Sequence, residues 1–225
     1  GALTASITNV PGSTLTQIAD YNIQCHAGQE QGVAATKTYT STLAALFLLS
    51  SSLADDVEHA KKHIFEVADA VQSVLSIEDY CAAKAERYRF MQNGYVLSRG
   101  LNYCTAREAA LKIAETCYVG MLAYSAADFV HGPIAAVYES EPCFLMAPPG
   151  KAFSTMVEMA ARLSDRKAEV AIISSEDEIL SYATTPFKLE VSIFEEVSPL
   201  LYIVPAQLLA YHLAVSRGLD PDRPR

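Results

Sequence analysis

Short runs of buried-strand character alternate with segments of helical period along this chain, and that alternation constrains the fold more than any other feature. Strand signals fall at 2–10, 21–25, 95–97, 144–147, 170–173 and 189–191. Helical signals fall at 14–19, 36–53, 105–117, 154–163 and 199–217, with two charge-rich amphipathic helices at 55–75 and 77–91. Strands separated by helices imply βαβ units, an α/β fold with parallel sheets flanked by helices. The series stops near Leu53, two charged helices intervene, and a new series begins at Tyr95. Two similar α/β lobes are therefore expected. The first lobe and a linker helix fill 1–76 and the second linker helix and second lobe fill 77–225, with the first lobe incomplete. In open α/β sheets ligands sit beyond the C-terminal strand ends, which directs attention to the loops after Val10, Cys25 and Leu97.

Composition narrows the function. With 51% hydrophobic and 19% charged residues in 225, the chain can bury a real core. Its net charge of −9 repels a phosphate backbone, so nucleic acid is not an expected partner; a small anion held at a helix N-terminus is still allowed. Five scattered cysteines, without metal spacing, read as reduced buried thiols of a cytoplasmic protein. The apolar stretch 199–215 contains Pro205, Gln207 and His212 and reads as a buried helix, so no membrane is expected. Both ends read as cut. A strand opens the chain at once, and a proline-rich turn at 220–225 closes it.

Three places could carry chemistry. Glu108, Lys112 and Glu115 are spaced by four and three residues, so they share one helix face. They could be a solvated ion-pair stripe. A lysine between two carboxylates also suits proton abstraction beside a carbonyl, with a carboxylate as base and an ammonium steadying the enediolate oxygen. His131 stands in a Gly132-Pro133 turn that could hold its imidazole at a loop edge, whereas His212, within an apolar helix, reads as a hydrogen-bonded core residue. Residues 33–37 are expected to begin the long helix, whose free N–H groups could either bind an anion or be ordinarily capped.

Six short motifs occur in one order: NVPGS at 9–13, GVAATK at 32–37, SRG at 98–100, EAALKIAE at 108–115, HGP at 131–133 and PAQLLAYH at 205–212. Together they resemble the sugar isomerase (SIS) family, in particular the isomerase half of the glucosamine-6-phosphate synthases and the SIS-type glucosamine-6-phosphate deaminases. The resemblance implies two flavodoxin-like SIS lobes, a homodimer and no metal or other cofactor. It implies ketose–aldose isomerisation of a hexose 6-phosphate coupled to amination or deamination at C2. By resemblance Glu115 is the base, Lys112 and Glu108 are its active-site partners, His131 opens the sugar ring across the dimer, and Val33 and Ala35 contact the sugar. The family's phosphate loop would lie before Gly1 and its tail lysine beyond Arg225, so residues 1–225 alone are expected to lack turnover. Gly120-Met121-Leu122 stands where the synthases carry His-Ala-Glu. That difference keeps an alternative open, a regulatory SIS module that binds a sugar phosphate without catalysis.

Overall fold

The computed structural model describes residues 1–223; Pro224 and Arg225, in the proline-rich end expected to form a turn, lie outside them. The core is a five-stranded, all-parallel sheet in the order β4-β3-β5-β6-β7. Its strands are β3 (Asn93–Ser98), β4 (Gly120–Ser125), β5 (Pro142–Met146), β6 (Glu169–Ser174) and β7 (Thr185–Lys188). A parallel sheet needs cover on both faces, and the strands alternate accordingly. Val96, Phe144, Met146, Ala171 and Ile173 enter one apolar layer with α4 (Glu78–Ala85), α5 (Tyr103–Cys117) and α9 (Ser198–Ser216). Leu97, Cys143, Leu145, Val170 and Ile172 enter the opposite layer with α6 (Ala126–Phe129), α7 (Phe153–Asp165) and α8 (Asp177–Leu180).

Before this sheet, β1 (Ala5–Thr8) and β2 (Tyr21–Gln24) form a separate parallel pair, linked by α1 (Thr14–Ile18). The long α2 (Lys37–Leu53) and α3 (Val57–Val74) follow. Although α2 is rich in leucine, none of its residues is buried; Leu3, Val10, Ile18 and Val33 also face outward. Helix α9 is long and apolar enough to cross a membrane by composition, and 78% of its apolar window is buried inside the fold.

The strand expected at 189–191 is found four residues earlier, as β7. Pro186 cannot donate to a ladder, but β7 is an edge, where proline is tolerated. Leu189, just past the strand, is buried and donates its N–H to Ser174 O, which explains its strand-like appearance in the sequence. The helix expected over 77–91 ends at Ala85 and gives way to a 3₁₀ turn at Glu86–Tyr88. There Tyr88 is buried against Phe144 and donates to Glu169. Strand β4 has no counterpart among the expected elements. It is a sheet edge with Leu122 half exposed, so its apolar signal is diluted. The cysteines are all free; Cys81, Cys117 and Cys143 are buried as expected, but Cys104 is exposed. Burial pushes the Cys81 and Cys143 thiols up to about 12.

Candidate active site

Helix α5 is a crossover helix, entered from the C-terminal end of β3 through a 3₁₀ turn at Gly100–Asn102. Its start is tied to that of α9 by a buried chain. Thr105 Oγ1 donates to Asn102 Oδ1 at 3.1 Å, Asn102 Nδ2 donates to Ser198 Oγ at 2.6 Å, and Ser198 Oγ donates to Glu195 O at 2.6 Å. Thr105, Ala106, Ala109, Ala110, Ile113 and Cys117 turn to the core. That leaves Glu108, Lys112 and Glu115 on the adjoining flank, as their spacing requires.

The stripe is not a solvated one. Lys112 is buried, with a side chain 6% exposed, against 13% for Glu108 and 39% for Glu115. The Lys112 ammonium donates to Glu115 Oε2 at 2.8 Å and lies 3.4 Å from Glu108 Oε1. Burial, only partly offset by Lys112, holds the Glu108 carboxyl above its ordinary range, and the Glu115 charge adds to the shift. The arrangement thus contains a half-exposed carboxyl group, a buried cation beside it, and a second, nearly enclosed carboxyl whose pKa burial raises.

A crossover helix runs antiparallel to its strands, so Glu108 stands nearest the C-terminal strand ends and Glu115 roughly 10 Å further along the α5 flank. Tyr39 of α2 covers its Glu108 end. The Tyr39 hydroxyl is buried without a hydrogen-bond partner among the described residues, beside Cys104, Thr105 and Glu108, and burial raises its pKa. Tyr39 was not among the expected site residues, because nothing in its local pattern separates it from an apolar helix position.

Residues 33–36 do not belong to the helix; α2 begins at Lys37. Val33 is exposed and Ala35 partly so, in the bend that leads into the turn carrying Tyr39. Of the two fates open to the N–H groups at this helix start, anion binding or ordinary capping, the structure shows capping by the chain itself. Glu30 Oε1 accepts from Thr36 N at 3.1 Å and Thr38 N at 2.8 Å. Despite the opposing effect of burial, these bonds hold the Glu30 carboxyl below its usual range. Lys37 turns back to donate to Gln29 O.

His131 is exposed in its turn. Ala126, Phe129 and Ile134 around it all pack into the layer on the sheet face opposite α5. Among the described residues, no side-chain contact joins it to Glu108, Lys112 or Glu115. His212 is less buried than expected. Its Nε2 lies 3.4 Å from Glu78 Oε1 but lacks a hydrogen bond among the described residues, and its ring meets Tyr211 edge-on. Gly120, Met121 and Leu122 form the N-terminal half of β4, paired with Asn93, Gly94 and Tyr95.

Comparison with known proteins is consistent across sequence and structure. A family model described as "SIS domain" matches residues 92–217. The glutamine–fructose-6-phosphate aminotransferase (isomerizing) of Pyrococcus horikoshii is 40% identical over 231 residues, covering 100% of this chain and 38% of that protein. The corresponding protein of Thermococcus kodakarensis is 36% identical over 233 residues, with the same coverage. The chain thus spans 38% of the length of these relatives. Among solved structures, the C-terminal domain of glucosamine-fructose-6-phosphate aminotransferase from Francisella tularensis superposes with a TM-score of 0.91 at 25% identity, over 97% of this chain and 64% of that one. A glucosamine-6-phosphate deaminase from Thermotoga maritima shares the fold, with a TM-score of 0.75 at 23% identity over 98% of this chain and 64% of that one.

Proposed function

Because this chain belongs to the SIS domain family, we propose that it carries the isomerase chemistry of an amino-sugar-phosphate enzyme. In this reading it interconverts ketose and aldose forms of a hexose 6-phosphate, with nitrogen added or removed at C2. The observation that carries the proposal is the buried Lys112 ammonium held between Glu115 and Glu108. Glu115, the more exposed carboxylate, takes the proton from C1 of the open-chain ketose or its C2 imine and returns it to C2. Lys112 holds Glu115 in place through their hydrogen bond and offers positive charge to the enediolate oxygen. Glu108 balances that cation from the protected side. Val33 and Ala35, in the bend before α2, contact the sugar.

His131 opens the sugar ring in this reading, and it does so for the site of a second copy. Its position on the sheet face opposite α5 supports that division of labour, and with it a homodimer. A cytoplasmic setting suits the free thiols. The two segments 1–76 and 77–225 then act as the end of one lobe and the whole of the next.

Mixing two variants tests the assignment in the protein that carries this chain. Glu115→Gln and His131→Asn should each exchange the C1/C2 proton of fructose 6-phosphate only at background. A heterodimer of the two restores one complete site from two protomers, so a random mixture should recover about a quarter of the unmodified rate. No recovery would remove His131 from the partner's site. Tight hexose-phosphate binding by the unmodified protein without any proton exchange would replace the enzymatic reading with a regulatory one, as the Gly120–Leu122 difference allows.

A further inference from the structure

Away from the α5 flank, α3 carries a histidine pair that the proposed chemistry does not use. His59 and His63 are four residues apart, hence stacked on one helix face. Their Nε2 atoms stand 3.1 Å apart. Two nitrogens bound cis to one metal at its usual distance lie roughly 2.9–3.4 Å apart, so the pair already has the span of a chelate. Glu66 Oε2 lies 2.7 Å from His63 Nδ1. A carboxylate there accepts a hydrogen bond from Nδ1–H, which fixes that tautomer and leaves the lone pair on Nε2, turned toward His59. Phe194 locks both rings, stacked on His63 with centroids 4.3 Å apart and edge-on to His59 at 5.3 Å. Asp56 and Glu196 line the same cavity of about 450 Å³ as His59, which gives that wall a negative character.

We propose that His59 and His63 form a two-point chelate for a divalent transition-metal ion of the Ni²⁺ or Zn²⁺ class, with Glu66 as the orienting residue. Among the described residues no third His, Cys, Asp or Glu completes the set, so water fills the other coordination positions. Binding replaces the imidazole–imidazole contact by two metal–nitrogen bonds, and the His59 proton moves to Nδ1. The site is independent of Glu115 and His131.

Calorimetric titration of the reduced chain with Ni²⁺ tests the proposal. One equivalent should bind at a histidine site. His59→Ala and His63→Ala should each weaken it at least tenfold, and Glu66→Ala should weaken it on the order of tenfold. Cys104→Ser and His131→Asn should leave it unchanged. His59 is exposed and His63 is covered chiefly by the Phe194 ring, and alanine is a better helix former, so circular dichroism should show intact variants. Histidine side-chain spectra of the unmodified chain give a second readout, with the ring nitrogens of two histidines coupled through one Nε2–metal centre and broadened together on adding Ni²⁺. Absence of binding, or binding that survives both histidine substitutions or vanishes with Cys104→Ser, overturns the proposal.

Discussion

Substituting Glu115→Gln in the protein that carries this chain is expected to lower isomerisation turnover by about 10²- to 10⁴-fold with little change in substrate affinity. Glutamine keeps the shape and still accepts from the Lys112 ammonium, now 2.8 Å from Glu115 Oε2, so the helix flank should remain packed. What it loses is the basic oxygen. Glu115 is the right carboxylate for the experiment because its side chain is 39% exposed, whereas that of Glu108 is nearly enclosed. A near-normal turnover in Glu115→Gln, with loss in Glu108→Gln, would transfer the base to Glu108.

The second large effect is on stability. Lys112→Met preserves the apolar stem but removes the buried charge between two carboxylates, one of them nearly enclosed. Deleting one partner of a buried ion cluster leaves the others uncompensated, so a loss of about 3 kcal/mol is expected at neutral pH. The loss should depend on pH, with a defined sign. In the folded chain Glu108 sits above its ordinary range, so between the ordinary and raised values the folded state holds more protons than the unfolded one. Stability therefore falls as pH rises through that window and is level beyond it. Without Lys112 the Glu108 carboxyl moves further up and the window widens. The penalty of Lys112→Met should thus be largest at neutral pH and shrink on acidification. Urea unfolding of both proteins over a series of pH values measures it, and an equal penalty at every pH would mean that packing, not charge, is what Lys112 contributes.

Much of the architecture was legible because parallel strands buried on both faces are short continuous apolar runs, and helices that cover them have a broad apolar stripe. β3, β5 and β6, and helices α5, α7 and α9, were readable on those grounds. The strands that depart from expectation are those at the sheet edges. β4 shows one side to solvent, and β7 holds Pro186, so neither has the periodicity of a central strand. The bend over residues 33–36 has a helix-like sequence because small residues satisfy a helical pattern as readily as a loop. Only the Glu30 carboxylate, six and eight residues before its targets Thr36 and Thr38, sets the boundary at Lys37.

The same division runs through the site. Periodicity alone determined that Glu108, Lys112 and Glu115 share a face, because the helix repeat leaves side chains four and three residues apart no other choice. It could not determine whether that face met water or protein. That was decided by where α5 docks, tied through Asn102 to Ser198, and by Tyr39 arriving from α2 to enclose the Glu108 end. Burial converts a surface ion-pair stripe into a cation held between unequal carboxylates, and burial is a property of contacts between segments far apart in sequence. His131 makes the complementary case. Its turn was written locally in the Gly132-Pro133 pair, but which side of the sheet it occupies was settled only when Phe129 and Ile134 packed into the layer opposite α5.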